Sequence, residues 1–436
     1  MRDLAMIQSA YPVDASSRGR RRFVLFGLFG TGNIGNDATL RVTLHHLRAR
    51  APDADIICIC NELPDFARDL GVLSLPLNPL PVKGRWRVPY SWLRNAYAAA
   101  GMLVSEPFRR ARMRRLLMGA DRLIFVGTGV FDDFGLLPWD MPAWMLGWCR
   151  AAIRVGAQVQ LLAVGAGPMR NSLNRALMKR AIGAADRRSL RDTVSRDYLQ
   201  SIGIDASADT VVPDLVFGMP PEWIPDHRPA DSPPRVVGLG VMGYFGWNAD
   251  PQKGQEIYRA YIAKMEQFLR WLLERGYAVR LLVGELPTDE RPVRDLLSAV
   301  DPQGQALSNG RLATQAVHSL DGLLREIAAT DIVVASRFHN VICALAAGRP
   351  AIAIGYASKF DALMAEMGMG SYSLHIESFD VEQLKRDFAA LAESHAEVKA
   401  RLGSRCSSYR QSVQEVFDSH VDLSEGSQLG CTATAS

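Results

Sequence analysis

Ser336-Arg337-Phe338-His339-Asn340 places a guanidinium and an imidazole where the apolar run Asp331-Ile332-Val333-Val334 gives way to the helix-like Val341-Ile342-Cys343-Ala344-Leu345-Ala346-Ala347. The amino end of a helix is already positive, so two cationic or ionisable side chains there are unfavourable unless an anion is meant to bind. The pair reads as an anion-handling, proton-transferring site. The arginine fork would hold an oxyanion, and an imidazole that titrates near neutral pH would move a proton.

Such a site needs a scaffold that delivers strand ends to an opening. From Phe23 onward, short apolar runs alternate with helix-length amphipathic segments, the pattern of βαβ units and a mainly parallel sheet. Strands are predicted at Phe23–Gly27, Ile56–Cys60, Arg122–Val126, Gln158–Ala163, Arg188–Leu190 and Thr210–Val212. The Pro-rich stretch from Pro220 to Pro234 then interrupts the pattern, because proline neither continues a helix nor donates in a central strand. The pattern restarts with Arg235–Val241, a long helix near Gln255–Arg275, and strands at Ala278–Val283, Ile332–Ala335 and Ala351–Ile354. The expected organisation is a mobile start (1–20), an α/β domain (21–218), a linker (219–234), a second α/β domain (235–420) and a mobile tail (421–436). Two Rossmann-like domains of this kind would set the carboxyl ends of their sheets across a shared cleft.

Composition narrows the class. The chain has 436 residues, 48% of them apolar, and a formal charge of +4, which is globular and gives no general case for nucleic acid. Six cysteines lie mostly in apolar runs, and Cys58-x-Cys60 has strand spacing rather than zinc spacing, so buried free thiols are expected. No apolar run reaches the roughly 18 residues of a membrane span, and residues 1–20 lack a leader pattern. The expectation is a soluble, cytoplasmic protein.

Gly30-Thr31-Gly32-Asn33-Ile34-Gly35 matches G-x-G-x-x-G between a strand and a helix, and Glu62 could imitate the acidic ribose contact of a nicotinamide-binding domain. An extra turn, Leu28-Phe29, and polar Asn33, Asn36 and Asp37 weaken that reading. Asp37 would repel a pyrophosphate. The bland alternative is a tight turn with Asn36 or Asp37 as helix cap.

Six motifs in order carry a resemblance: Phe29 to Asp37 (FGTGNIGND), Val126 to Asp133 (VGTGVFDD), Val164 to Pro168 (VGAGP), Ser189 to Asp192 (SLRD), Val212 to Asp214 (VPD) and Ser336 to His339 (SRFH). Over residues 23–370 the chain resembles the polysaccharide pyruvyl transferase family. The resemblance implies a GT-B-like fold and transfer of the enolpyruvyl unit of phosphoenolpyruvate to a sugar, giving a cyclic ketal. The chain departs from the family's usual triple glycine at Gly127-Thr128-Gly129 and from its frequent Gly-Asp at Asn36-Asp37. Both departures lie on the expected acceptor side and touch acceptor identity more than donor chemistry.

That donor carries a phosphate and a carboxylate close together, so its site must offer several cations, arginine above all. Arg191, Arg337 and Lys359 each follow a predicted strand, the edge where ligands bind. Matching motif positions carry Arg191, Arg337 and His339; placement alone carries Lys359. The expected assignments are His339 and Arg337 as catalytic, and Arg191, Arg337, Lys359 and Asn340 as donor-binding. Gly32, Asn33, Asp37, Gly129 and Asp132 are expected on the acceptor. In this scheme His339 protonates the methylene carbon, a sugar hydroxyl attacks, phosphate leaves and a neighbouring hydroxyl closes the ketal. Asp37, Asp132 and Asp214 all remain candidates for the base. Phosphoenolpyruvate is a co-substrate, no cofactor or metal is called for, and Asp53-x-Asp55 reads as the approach to a strand. Each assignment has a structural counterpart: Arg337 in a salt bridge, His339 as a helix-capping donor, Arg191 paired with Asp192.

Between residues 83 and 115 lie Lys83, Arg85, Arg87, Arg94, Arg109, Arg110, Arg112, Arg114 and Arg115, opposed by Glu106 alone and interleaved with Trp86, Tyr90, Trp92 and Tyr97. This segment suits an anionic membrane surface carrying a lipid-linked oligosaccharide, or else is a solvated helix face with core aromatics. Other readings of the whole chain are a GT-B glycosyltransferase using a nucleotide sugar, an NAD-dependent dehydrogenase, and a non-catalytic sugar-binding relative.

Overall fold

The computed structural model describes residues 20–60, 64–78, 105–133, 136–225, 234–246, 250–285, 288–315 and 317–421. Two parallel sheets organise them. The first holds β1 (Arg22–Phe26), β2 (Asp55–Cys60), β3 (Leu73–Pro76), β4 (Arg122–Val126), β5 (Gln158–Val164), β6 (Arg187–Leu190) and β7 (Thr210–Val211), in the order β3-β2-β1-β4-β5-β6-β7. The second holds β8 (Val236–Gly240), β9 (Ala278–Leu282), β10 (Leu312–Thr314), β11 (Ile332–Ala335), β12 (Ala351–Gly355) and β13 (Ser373–His375), in the order β10-β9-β8-β11-β12-β13.

Helices cover both faces of each sheet, so central strands such as β4 (RLIFV) and β11 (IVVA) are buried throughout and read as continuous apolar runs. Three edge strands escape sequence reading. β3, β10 and β13 are three or four residues long, with polar or exposed positions that blur any pattern. The long helix of the second lobe runs Pro251–Glu274, starting earlier than its apolar pattern because Asp250 caps it ahead of a proline.

Strand order reverses between β1 and β4 in one lobe and between β8 and β11 in the other. Ligand crevices open beyond the carboxyl ends of strands at such points. The lobes meet there: Asn33 bridges Glu285, and Ile34 N–H donates to the Gly284 carbonyl at 3.3 Å. Arg41 pairs with Asp321 at 2.6 Å farther back.

The last helix, His395–Val421, begins on the second lobe and returns to the first. Val413, Val416, Phe417 and Val421 share a core with Phe23, Leu25 and Ile124, and Asp418 pairs with Arg50 at 2.7 Å. A stretch expected within the second domain thus closes onto the first. Cys58, Cys60, Cys149, Cys343 and Cys406 are buried and unpaired, and burial holds every one of these thiols above its usual pKa.

Candidate active site

β11 ends at Ala335, and Arg337 stands at the cap of the helix Phe338–Ala346 without a side-chain cap bond. Its guanidinium turns to Asp289, with Nε 3.0 Å from Oδ1 and Nη2 2.6 Å from the same oxygen, and to Glu285 on the other side. Asp289 is fully buried, and its carboxylate also accepts the Gly284 and Glu285 N–H groups. Arg337, expected to grip a donor oxyanion, therefore spends its charge on two carboxylates. Its fork fixes the Gly284–Glu285 corner that meets the first lobe.

His339 is partly exposed and lies against Gly35 of the opposite lobe, where an added β-carbon would stand 1.7 Å from the imidazole Cγ. Burial, then the charges of Lys359, Arg191 and Arg337, push its pKa down to about 3. Those surroundings favour the neutral ring at neutral pH. Asn340 is fully buried between Gly240 and Gly284, and among the described residues neither amide atom has a hydrogen-bond partner. An unsatisfied buried amide is costly, and here both of its polar atoms are packed against glycine backbone.

Arg191 leaves the end of β6 and lies flat on Gly165, where a β-carbon would be 2.5 Å from Nη2. Asp192 and Asp214 are its nearest acids, at 3.5 and 3.7 Å, distances too long for good hydrogen bonds. Lys359, at the start of the helix Ser358–Glu366, has no acid within pairing distance among the described residues. Both cations sit on one ring: Arg191 Cζ is 5.4 Å and Lys359 Nζ 4.8 Å from the centre of Phe338. Phe338 and Tyr356, the latter 5.4 Å from Lys359 Nζ, are site residues that sequence reasoning passed over. Phe338 lies inside the SRFH motif, where the charged residues on either side are the stronger signal.

Arg191 and Lys359 line one cavity of about 330 Å³ between the lobes. Gly129, Asp132, Gly165 to Pro168 and Arg170 form its other wall. Arg170, two residues beyond the Gly165-Ala166-Gly167-Pro168 turn, is exposed and lines this space. The cavity thus gathers Arg191, Lys359, Gly129 and Asp132 from the expected set.

Gly32, Asn33 and Asp37 form the β1-to-helix corner instead, outside that lining. Asn33 caps the helix Ile34–Arg50 through the Gly35 and Asn36 N–H groups, and Asp37 accepts the Gly30 N–H at 2.7 Å. Ile34 N–H is taken by Gly284 and Asp37 N–H by the Asn33 carbonyl. The Gly30, Ile34, Gly35, Asn36 and Asp37 amides are bonded within the protein, and His339 occupies the space above Gly35, so this stretch of the G-x-G-x-x-G match serves lobe contact. Glu62 lies outside the described residues. Burial raises the Asp37 carboxyl to about 6, against the pull of the Gly30 N–H. Asp214 is buried and also raised, chiefly by desolvation and against Arg191.

A family model for polysaccharide pyruvyl transferase matches residues 33–358. Among solved structures, a putative UDP-N-acetylglucosamine 2-epimerase from Listeria monocytogenes aligns at 10% identity with a TM-score of 0.59, covering 92% of this chain and 97% of that one. The HepE protein of Anabaena, in complex with UDP and glucose, aligns at 13% identity and a TM-score of 0.58, covering 92% and 98%. A glycosyltransferase from Rickettsia africae aligns at 12% identity and 0.54, covering 93% and 100%. These likenesses are of fold: two Rossmann-like domains in the GT-B arrangement.

Proposed function

Because the chain belongs to the polysaccharide pyruvyl transferase family, we propose that it moves the enolpyruvyl group of phosphoenolpyruvate onto two hydroxyls of a surface-polysaccharide precursor, forming a cyclic ketal and releasing phosphate. The observation that carries this reading is the convergence of Arg191 and Lys359, from opposite lobes, on the ring of Phe338, with both charges acting on His339. Two cations on one ring, Lys359 with no acid in pairing distance among the described residues, suit a small ligand bearing two acidic groups.

In the proposed sequence Arg191 and Lys359 hold phosphate and carboxylate, while Asn340 offers its unpaired amide to a remaining donor oxygen. The donor's negative charge offsets the cations that keep His339 neutral. The ring then takes up a proton and delivers it to the methylene carbon. A sugar hydroxyl attacks the central carbon and loses its proton to a carboxylate; Asp132, in the cavity wall, is the proposed base, with Asp37, raised to a pKa of about 6 but outside that lining, and buried Asp214 as the alternatives. The bond to phosphate breaks, the second hydroxyl adds, and its proton leaves with the phosphate. Arg337 acts through Asp289 and Glu285 by fixing the corner beside His339. The acceptor is placed along Gly129, Asp132 and Arg170, with Gly32 and Asn33 shaping the adjoining corner.

The reaction is assigned to the cytoplasm, at the inner face of the membrane. No described helix is long and apolar enough to cross a bilayer. Of the basic aromatic segment, residues 79–104 lie outside the described residues; the helix over 105–116 turns Phe108, Arg110, Arg114 and Arg115 outward and buries Arg109 against Glu106. That outward face is suited to anionic lipid around a lipid-linked acceptor.

The test is phosphate release from phosphoenolpyruvate against a panel of free and lipid-linked glycans, with mass spectrometry of the glycan. Wild type should release phosphate only with an acceptor. His339→Gln should bind the donor without turnover, and Lys359→Ala should lose donor binding. Nucleoside diphosphate binding with no donor binding would overturn the reading.

A further inference from the structure

Ala163 is the one described residue other than glycine with a left-handed backbone, at φ 48°. It sits in an irregularity of β5. Leu161 pairs with Arg188, but Val164 pairs with Leu190, so β5 carries one extra residue there. A left-handed alanine persists only where its surroundings hold it, and here the holding groups are visible. The Ala163 N–H donates to Ser189 Oγ at 2.9 Å, and Ser189 Oγ lies 3.2 Å from Nε2 of His420, near the far end of the chain. His420 is buried, with Nδ1 3.3 Å from Gln160 Oε1, and Arg122 donates to its backbone carbonyl. Burial and the charges of Arg187 and Arg122 keep the ring neutral. With its proton on Nδ1 toward Gln160, the ring can accept the Ser189 hydroxyl at Nε2, in competition with the Leu161 carbonyl, also 3.2 Å from Ser189 Oγ.

The bulge has a consequence two residues on. Beyond it the register is reset, Arg191 N–H donates to the Val164 carbonyl at 3.0 Å, and Gly165 forms the floor on which the Arg191 guanidinium lies. Without the extra residue, β5 would present the opposite face at each later position and the floor would move from under the arginine.

We infer that His420 and Ser189 are positioning residues for Arg191: the last helix, crossing from the second lobe, locks the β5 bulge through the Ser189 hydroxyl and so sets where the donor-binding guanidinium rests. The inference depends on Arg191 being a donor ligand, as proposed above. It gives the returning helix a role in the chemistry as well as in joining the lobes.

The experiment uses the full-length protein with Ser189→Ala, His420→Phe, and Ser189→Ala combined with Ala163→Gly. Glycine adopts the left-handed conformation without strain, so it should replace the lock. Ser189→Ala and His420→Phe should each raise KM for phosphoenolpyruvate about tenfold with kcat within about threefold, as expected when a substrate-binding group is displaced. Adding Ala163→Gly should bring KM of the Ser189→Ala protein back to within about twofold of wild type. Unchanged KM in the folded single variants, or no recovery with glycine, overturns the inference. Amide hydrogen exchange gives a second readout that needs no substrate: Ala163 and Arg191 should exchange at least about tenfold faster in Ser189→Ala, and Arg191 should recover in the double variant. If wild type neither binds nor consumes phosphoenolpyruvate, the functional reading fails by itself. Exchange then decides, and unchanged rates overturn the positioning role.

Discussion

Gly35 of the first lobe lies directly against the imidazole of His339 of the second, so closely that a β-carbon on Gly35 would overlap the ring, 1.7 Å from Cγ and 2.2 Å from Nδ1. The last glycine of a motif that imitates a dinucleotide loop is therefore the seat of the proposed proton donor. Gly35→Ala should push the lobes apart or turn the ring. The expected result is a loss of turnover of about a hundredfold or more, from misplacement on the order of 1 Å, with an overpacking cost of about 1–3 kcal/mol. Steady-state phosphate release and urea unfolding measure the two effects, and near-normal turnover would remove His339 from the chemistry.

Donor binding should be coupled to proton uptake at His339. With its pKa pushed down to about 3 by burial and three neighbouring cations, the free ring cannot act as an acid at neutral pH. A negative charge arriving about 4 Å away, at an effective dielectric constant of ~20, is worth roughly 4 kcal/mol, or about three pKa units. That is enough to bring the ring back near its ordinary range. Calorimetric titration with phosphoenolpyruvate at about pH 6, in two buffers of different ionisation enthalpy, should show more protons taken up by wild type than by His339→Gln. Equal uptake in both proteins would refute the coupling.

The sequence made the central strands and the strand-to-helix crossings legible because buried parallel strands are unbroken apolar runs, and crossings follow them. It therefore located Arg191, Arg337, His339 and Lys359 at one edge of the sheets. What it could not show is which charges are already spent. Arg337 and Lys359 look alike as cations after strands, yet Glu285 and Asp289, some fifty residues upstream, meet the first, and no described acid meets the second. The edge strands β3, β10 and β13 were equally hidden, being too short to show a period. The Ala163 bulge was invisible because it depends on Ser189 and His420 from remote parts of the chain.

Arg337 should reveal itself first in stability. Asp289 is wholly buried and bonded to the guanidinium through both oxygens, and its removal leaves a largely buried cation with Glu285 alone. Asp289→Ala should cost roughly 3 kcal/mol, in the range for breaking a buried pair, and should loosen the Gly284–Glu285 corner against Asn33. Urea denaturation reads the first effect, and hydrogen exchange at Ile34, whose amide bonds Gly284, reads the second. A wild-type midpoint would show that the pair is not structural.

Association with lipid should depend on the exposed face of the helix over 105–116. Phe108 is 71% exposed, and Arg110, Arg114 and Arg115 of the same helix are exposed as well. Each basic side chain near an anionic surface is worth about 1 kcal/mol. Phe108→Ser with Arg114→Glu should lower sedimentation with anionic vesicles about tenfold or more at low salt, and leave the unfolding midpoint unchanged. Failure of wild type to sediment with such vesicles would end the proposal.

The His420 lock should also be visible in how stability responds to acid. Its folded-state pKa, pushed down to about 3, lies below the ~6.5 of an exposed histidine. Between those values the unfolded chain binds a proton that the folded protein refuses, so the stability this residue contributes is full above about pH 6.5 and is lost as pH falls toward 3. His420→Phe removes the titration together with the hydrogen bonds. The variant should be less stable than wild type at pH 7.5, and the gap should narrow by up to about 1.4 kcal/mol per pH unit below pH 6.5. Comparing the two proteins at each pH cancels the buried carboxylates, among them Asp37 and Asp214, whose raised pKa values act in the opposite sense. Denaturant melts from pH 7.5 to 4.5 supply the comparison. A gap that stays constant or widens on acidification would mean that His420 is charged in the folded protein, and the neutral ring bonded to Ser189 would have to be abandoned.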